Sequence, residues 1–365
     1  MGVAGLEYVF SVGEAAVWAE AFKLRKPQLF KFPIKNFITK TRMIQLNPID
    51  ISEWGRHVEF SEAYPEGARP KRIVISPAEP LQDVIRPSWQ YMFKLSDPKY
   101  PEQFWSELIA YQVGQLLDVP VPPAHAGFDE MTGECGSLSE WFYEPNEDVF
   151  YAAGYFFYRE IKGFDKEKGT QHNILTAQKL NETFIGKDQI YDFWSMILFD
   201  SLIGNTDRHQ ENWGYLLNIS PNSKSVARRR NEQYSVRLKF APWFDNGTSL
   251  GYQIIARKFL QWDDTRLDNF IKKGTHHFRY AMDNLTQIGH LDSMRFIAKY
   301  NPEVKHLLQL RLKNFDITQF SATLTKLVDL PMPKGAKLTK ERADFIVRLT
   351  SRRLEMIMDT LNGNH

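Results

Sequence analysis

The sequence predicts an α+β fold with two lobes, a small β-rich lobe followed by a larger and mainly helical one. From about residue 56 to 145, short apolar runs alternate with turns that contain glycine or proline, and only one segment has helical spacing. From 146 to 365, apolar residues recur every three to four positions in one segment after another. Residues 1–55 precede both patterns and form an N-terminal extension whose role no motif indicates.

Five strands and one helix are predicted in the first lobe. The strands cover 57–60, 71–75, 89–95, 124–128 and 137–142. The helix covers 101–117 and ends before Pro120 and Pro122, because proline lacks the N–H group that would continue it. Strands on both sides of one helix are typical of a small antiparallel sheet with a packed helix.

Helices dominate the predicted second lobe. Helical spacing occurs over 171–181, 187–203, 254–262, 279–286, 290–299, 302–312 and 338–361, and also over 5–25 in the extension. The last helix has a clear apolar face that contains Phe345, Leu349 and Ile357.

Composition and charge exclude several classes of protein. The formal net charge of +2 is too small for a nucleic-acid-binding domain, so no direct nucleic-acid partner is expected. The single cysteine, Cys135, cannot form an intrachain disulfide, which suits a reducing compartment. The N-terminus lacks a secretory pattern, and no apolar stretch reaches the roughly 20 residues of a membrane span. We expect a cytoplasmic protein without a membrane segment.

A short polar loop lies between an apolar helix and an apolar strand, over residues 202–217. It contains Asp207, Arg208, His209 and Asn212. A loop that only connects two elements needs fewer functional groups, so this density indicates a site.

A second acidic segment, 240–250, ends a predicted strand with Asp245, which lies 33 residues after Asn212. Phosphoryl transfer mainly requires metal ions and charges in the right places. One aspartate positions the attacking hydroxyl group, while an asparagine and a second aspartate hold Mg²⁺ through hard oxygen atoms. Asp207, Asn212 and Asp245 have these residue types in this order, and we predict that they form the catalytic centre.

The first lobe contains residues that could bind phosphate groups. Gly67 lies in a turn and can bring backbone N–H groups close to an anion, and Lys71 follows at the start of a strand. Lys94 lies in an otherwise apolar strand, and Glu107 follows on the predicted helix. Kinases use a strand lysine paired with a helix glutamate in this way.

The two polar segments resemble the HipA-like protein kinases of bacteria. The resemblance is carried by Gly204-Asn-Thr-Asp207-Arg-His209 with Asn212, and by Pro242-Trp-Phe-Asp245-Asn-Gly-Thr-Ser-Leu250. It implies a two-lobed kinase fold that is distantly similar to phosphatidylinositol 3- and 4-kinases. It also implies that Asp207 is the catalytic base and that Asn212 and Asp245 bind Mg²⁺.

The same resemblance extends to the first lobe and to the partners. The turn with Gly67 and Lys71 is similar to the phosphate loop of the family, and the strand with Lys94 is similar to its nucleotide-binding strand. Trp141 and Phe142 would then lie beside the adenine ring of ATP. The family implies ATP and Mg²⁺ as cofactors, a protein substrate, and a regulatory or antitoxin partner for those members that act as toxins.

Two other functions stay open at this point. The Asp-Arg-His triplet at 207–209 also occurs in lipid kinases of the phosphatidylinositol type. A nucleotide-binding pseudokinase that acts as an interaction module is the third alternative. The motifs of serine hydrolases, of zinc proteases and of P-loop NTPases are absent from the sequence.

Overall fold

The computed structural model describes residues 45–56, 69–144, 147–184, 190–221 and 234–363. The chain divides into two units, one made of Ile44–Asn218 and Arg237–His365, the other of Met1–Met43 and Ile219–Val236. Of the second unit, the structure describes only strand ends, at 219–221 and 234–236. The elements that form the candidate site belong to the first unit.

A six-stranded sheet forms the first lobe. Its strands are β1 (Ile49–Asp50), β2 (Gly55–Arg56), β3 (Lys71–Ile75), β4 (Gln90–Leu95), β5 (Ala124–Asp129) and β6 (Glu134–Glu140). They lie in the order β1-β5-β6-β4-β3-β2. The short β1 is parallel to β5, and all other neighbours are antiparallel. The predicted antiparallel sheet is therefore present, with one parallel strand at its edge.

The two faces of this sheet differ because side chains alternate along each strand. On one face, Tyr91 and Phe93 are fully buried and belong to an apolar cluster with Val74 and Leu138. By alternation, Lys94 lies on the opposite face, where it reaches the packed helix α1 (Phe104–Leu117). The apolar alternation in β4 thus fixes the direction in which its lysine points.

The second lobe contains nine helices among the described residues. They are α2 (Ala153–Glu160), α3 (Ile174–Phe184), α4 (Ile190–Ile203), α5 (Ala256–Phe259), α6 (Asp264–Lys272), α7 (His290–Tyr300), α8 (Pro302–Lys313), α9 (Ile317–Val328) and α10 (Lys340–Asn362). Three strands, β7 (Asp148–Ala152), β8 (Gly214–Pro221) and β9 (Tyr234–Phe240), form a small sheet, and β10 (Thr275–Ala281) and β11 (Asn284–Gly289) form a hairpin. The apolar helix α4 is almost wholly buried and contacts α7, α8 and α10. The predicted two-lobed α+β fold is confirmed.

Most predicted elements agree with the structure to within a few residues, and β3 agrees at both ends. The helix predicted over 279–286 is wrong, since this segment spans the turn between β10 and β11. In β10, His276 and Phe278 are buried while His277 and Arg279 are partly exposed, which is the period of two that a strand requires. No pattern predicted α2, α6 or α9. The strand predicted over 57–60 and the helix predicted over 5–25 lie outside the described residues.

None of the helices in the described part of the chain combines the length and the apolar character that a membrane crossing requires.

Candidate active site

The polar loop begins at Gly204, directly after α4. Gly204 has a φ of 68°, in the left-handed region that favours glycine, and a Cβ atom at this position would overlap the guanidinium of Arg353. Next in the chain, the Asn205 side chain accepts hydrogen bonds from the Asp207 N–H group (3.1 Å) and from the Thr248 hydroxyl (2.9 Å). The loop therefore packs against Arg353 of α10 and is hydrogen-bonded to the second polar segment.

Arg208 uses all five of its N–H groups, and two of them reach the second polar segment. Its guanidinium is fully buried and donates twice to Asp200 on α4, at 2.8 and 3.0 Å. The other three groups donate to the Asn212 carbonyl (3.1 Å), to the Phe244 carbonyl and to the Asn246 side chain (2.6 Å). The planar fork of arginine suits several fixed acceptors at once. Arg208 thus holds the loop at 207–212 against the turn at 244–246.

Asp207 and Asn212 are held together inside the loop. The Asn212 side-chain N–H group donates to the Asp207 carbonyl (2.9 Å), which directs the amide oxygen of Asn212 away from that carbonyl. Burial raises the pKa of Asp207; nearby His209 opposes this shift, while the negative charge of Asp245 adds to it. Asp207 is therefore a partly buried carboxylate within electrostatic range of Asp245.

Asp245 lies at a constrained turn after β9. Its φ is 57°, which is uncommon for a residue other than glycine, and unusual backbone of this kind is concentrated at functional sites. Burial by itself would raise the pKa of Asp245, but the positive charges of Lys94 and Arg69 lower it well below its usual range. The carboxylate is therefore ionised throughout the physiological pH range.

Four charged side chains from separate parts of the chain form one ion-pair cluster. The Lys94 Nζ atom lies 3.0 Å from Asp245 Oδ1 and 3.3 Å from Glu107 Oε1. The Arg69 Nη2 atom lies 3.1 Å from Asp245 Oδ1 and 3.0 Å from Glu107 Oε1. The second Glu107 oxygen accepts the Asn246 N–H group (2.9 Å). Two cations and two carboxylates thus link β4 and α1 of the first lobe to the acidic turn of the second.

Lys71 lies next to this cluster. In the register of the sheet it is directly opposite Lys94, so both lysines lie on the same face. Burial lowers the pKa of Lys71, and the neighbouring charges of Lys94 and Arg69 act in the same direction, whereas Asp245 opposes them. Gly67, the other residue predicted for this phosphate loop, lies outside the described residues.

Sequence reasoning did not single out Arg69. It lies two residues before Lys71, in a segment where only Gly67 and Lys71 were predicted to bind phosphate. The available signal was weak: an arginine before proline, beside a predicted phosphate loop. Its connection to Glu107 and Asp245, 38 and 176 residues away, depends on the tertiary structure.

The segment after β6 connects the two lobes and contains Trp141 and Phe142. Phe142 stacks on Phe244, the residue before Asp245, with ring centroids 4.8 Å apart, and Phe150 packs edge-on against both rings. Trp141 and Phe142 both line a cavity of about 390 Å³ that neither Lys94 nor Asp245 lines. Phe142 therefore adjoins this cavity and is also joined to the acidic turn by aromatic contacts.

The predicted site residues thus fall into three groups. One region of the structure brings together Asp207, Asn212, Asp245, Lys71, Lys94 and Glu107. Trp141 and Phe142 lie on the connecting segment, and Gly67 is not described. Among the described residues, no group of three or more His, Cys, Asp or Glu side chains forms a metal cage.

Comparison with solved structures identifies the fold. The structure of CtkA from Helicobacter pylori, a proinflammatory kinase, matches with a TM-score of 0.65 over 87% of this chain and 98% of that chain, at 16% sequence identity. The chain has a two-lobed kinase fold. HipA from Shewanella oneidensis, in a complex with HipB and operator DNA, matches with a TM-score of 0.41 over 89% of this chain and 73% of that chain, at 15% identity. No protein-family model matches the sequence, and no curated protein sequence matches it significantly.

The ion-pair cluster can be compared with the ion pair that kinases use. In kinases of this architecture, a strand lysine pairs with a glutamate of the packed helix, and an aspartate after the catalytic loop binds the metal ions. Here Lys94 pairs with Glu107 at 3.3 Å, and Asp245 follows the loop that contains Asp207. The kinase fold that the sequence resemblance implied is confirmed.

Proposed function

We propose that the chain is a Mg²⁺-dependent kinase that transfers the γ-phosphate of ATP to a protein hydroxyl group, as HipA-like serine/threonine kinases do. The observation that carries the proposal is the cluster of Lys94, Glu107 and Asp245, which lies beside Asp207 and Asn212. A lysine fixed in this way can neutralise phosphate oxygens without having to be ordered during the reaction.

The donor atoms at the acidic turn fit Mg²⁺. This ion prefers hard oxygen ligands, which the Asp245 carboxylate and the Asn212 amide can provide. The lowered pKa of Asp245 means that no proton has to leave before the metal binds. When bound, Mg²⁺ neutralises negative charge on the phosphates. Asn212 and Asp245 are the residues that we propose to hold it.

Asp207 is the proposed general base. Its carboxylate can accept the proton of the attacking hydroxyl group and can orient that group. Burial raises the pKa of Asp207, which brings it closer to the operating pH and makes the carboxylate a better base. The bonds that hold Asn205 and Asn212 to the backbone of Asp207 support this side chain from both sides.

The connecting segment is the proposed adenine site. Phe142 and Phe244 form a stacked pair next to the acidic turn, and an aromatic ring can stack on such a surface. The backbone of Trp141 is already used, because its N–H group donates to the Gln90 carbonyl and its carbonyl accepts the Trp89 indole N–H group, both at 2.9 Å. We include Trp141 in this site through its ring, which stacks against Phe142 with centroids 6.2 Å apart.

The acceptor and the partner are proposed from the motif resemblance. The paired polar segments are similar to protein kinases, so a protein serine or threonine is the proposed acceptor. A regulatory or antitoxin protein is the proposed partner, and the cytoplasm is the proposed location. The alternative acceptor, a phosphoinositide, is measured separately in the test.

The test measures label transfer from γ-labelled ATP and Mg²⁺ to lysate proteins, to the chain itself and to phosphoinositide vesicles. The variants are Asp207→Asn and Asp245→Asn. The matched control is Asp268→Asn. Asp268 lies on α6 and pairs with Arg352 of α10. We expect wild type and control to label serine or threonine, and both site variants to be slower by about 100- to 1000-fold.

Other results would contradict the proposal in different ways. Label confined to vesicles would make the chain a lipid kinase. Stabilisation of the chain by Mg²⁺ and ATP in a thermal melt without any label would make it a pseudokinase. Equal labelling by wild type and Asp207→Asn would remove Asp207 from the mechanism.

A further inference from the structure

Arg69 has a hydrogen-bonding capacity that its ion pairs do not use. Its Nη2 atom contacts Glu107 and Asp245, at 3.0 and 3.1 Å. Its Nη1 atom is buried and has no hydrogen-bond partner among the described residues. A buried guanidinium nitrogen without an acceptor is costly, because the donor has lost its water. Among the described residues, this atom is therefore available to an acceptor that a ligand supplies.

The neighbouring charges indicate what kind of acceptor would fit. Lys71 and Lys94 share the face of the sheet that Arg69 adjoins, so three cations converge on Glu107 and Asp245, with Asp207 also in range. A metal ion on Asp245 would add two further positive charges. Phosphate oxygens are the acceptors that a cluster of this kind recognises best, and arginine binds them through its planar fork.

The backbone holds Arg69 in place for such a role. The residue before a proline is restricted to extended backbone, and Arg69 precedes Pro70. The Pro70 carbonyl accepts the Leu95 N–H group (3.0 Å), which ties this segment to the strand end beside Lys94. On the other side, a Cβ atom on Gly247 would overlap the Arg69 guanidinium, so glycine makes room for it.

We propose that Arg69 is a phosphate-binding residue whose Nη1 atom donates to the β- or γ-phosphate of ATP while Nη2 stays on Glu107. This inference rests on the proposed kinase function. It assigns to Arg69 the discrimination between nucleotides that carry phosphates beyond the α-position and those that do not.

The test measures binding of AMP, ADP and ATP, each with Mg²⁺, by titration calorimetry. The variants are Arg69→Ala and Arg69→Lys. The matched control is Arg72→Ala: Arg72 lies three residues further along, and its guanidinium pairs with Asp129 and Glu134 and lies over the Phe93 ring. Each alanine variant thus removes an arginine that bridges two carboxylates, and of the two only Arg69 contacts Asp245.

We expect Arg69→Ala to bind AMP like wild type and to bind ADP or ATP about 10- to 100-fold more weakly. Arg69→Lys should recover part of the loss, and Arg72→Ala should bind all three nucleotides normally. Equal weakening for all three nucleotides in Arg69→Ala would make Arg69 a structural clamp. Tighter ATP binding in Arg69→Ala would mean that the Arg69 side chain opposes ATP binding. Either result would overturn the inference.

The failure of this inference is distinguishable from failure of the proposed function. If wild type binds none of the three nucleotides, both proposals are wrong. If wild type binds ATP and transfers label while Arg69→Ala binds AMP and ATP as tightly as wild type does, only the role of Arg69 is wrong.

Discussion

Arg208→Lys is the substitution that tests how the site is held together. The guanidinium of Arg208 is fully buried and has five hydrogen bonds, to Asp200 and to acceptors on both polar segments. Lysine keeps the positive charge that Asp200 needs, but its ammonium group has only three N–H donors, all on one atom. The substitution therefore removes bonds without leaving the buried carboxylate unpaired.

The expected magnitude follows from the count of donors. At least two acceptors lose their partner, and the Nη1 atom, which does not contact Asp200, donates to the carbonyls of Asn212 and Phe244. A buried acceptor without a donor costs about 1–3 kcal/mol, so we expect a loss of about 2–6 kcal/mol in the free energy of unfolding. This is a large part of the roughly 5–15 kcal/mol by which most proteins are stable.

Urea denaturation at pH 7 measures this loss. The matched control is Arg352→Lys, because Arg352 also holds an aspartate with two bonds, at 2.7 and 2.8 Å, but its side chain is 40% exposed. Water can replace the lost bonds there, so we expect the control to lose less than about 1 kcal/mol. A loss below about 0.5 kcal/mol in Arg208→Lys, with an unchanged m-value, would refute the bracing role of Arg208. So would equal losses in the two variants.

Two further predictions concern pH and backbone conformation. Burial lowers the pKa of His125 to about 4. The folded protein therefore keeps this ring neutral, while the unfolded chain takes up a proton below about pH 6.5. As the pH is lowered from about 6.5 to about 4, the free energy of unfolding should fall by up to about 1.4 kcal/mol per pH unit. His125→Leu should remove this part of the slope in denaturation curves between pH 7 and 4, and an unchanged slope would contradict the buried neutral state. Gly204→Ala should lower the free energy of unfolding by at least about 1 kcal/mol more than Gly163→Ala, because both glycines have positive φ but only Gly204 is packed against a guanidinium. Equal melting temperatures for the two glycine variants would show that the Arg353 contact is unimportant.

The sequence predicted elements best where local pattern and tertiary environment agree. The strand at 71–75 and the helix α10 have clear alternation or a clear apolar face, and the structure contains both. The hairpin at 275–289 was missed because its apolar residues allow both periods, and only its burial pattern separates them. The short helices α2 and α6 depend on neighbours for their stability, so their own sequence gives little signal.

The candidate site shows a similar division. The polar loop could be recognised from its composition, since Asp207 and Asn212 lie in a dense polar run between an apolar helix and an apolar strand. The hydrogen bonds by which Arg208 holds this loop could not be recognised from the sequence, because they reach α4 and the turn at 244–246. Arg69 was overlooked for the same reason: its charge is ordinary in the sequence, and its significance arises from its position between two carboxylates.

The sequence by itself determined the order of the two lobes and the types of residue that the site contains. Both follow from local properties, namely hydrophobic periodicity and the coordination chemistry of aspartate and asparagine. Only the tertiary structure decided that Arg69 joins the Lys94–Glu107 pair and that both Arg69 and Lys94 reach Asp245. Ion pairs between residues 38 to 176 positions apart depend on how the sheet, the helix and the acidic turn pack together, and no local pattern encodes that arrangement.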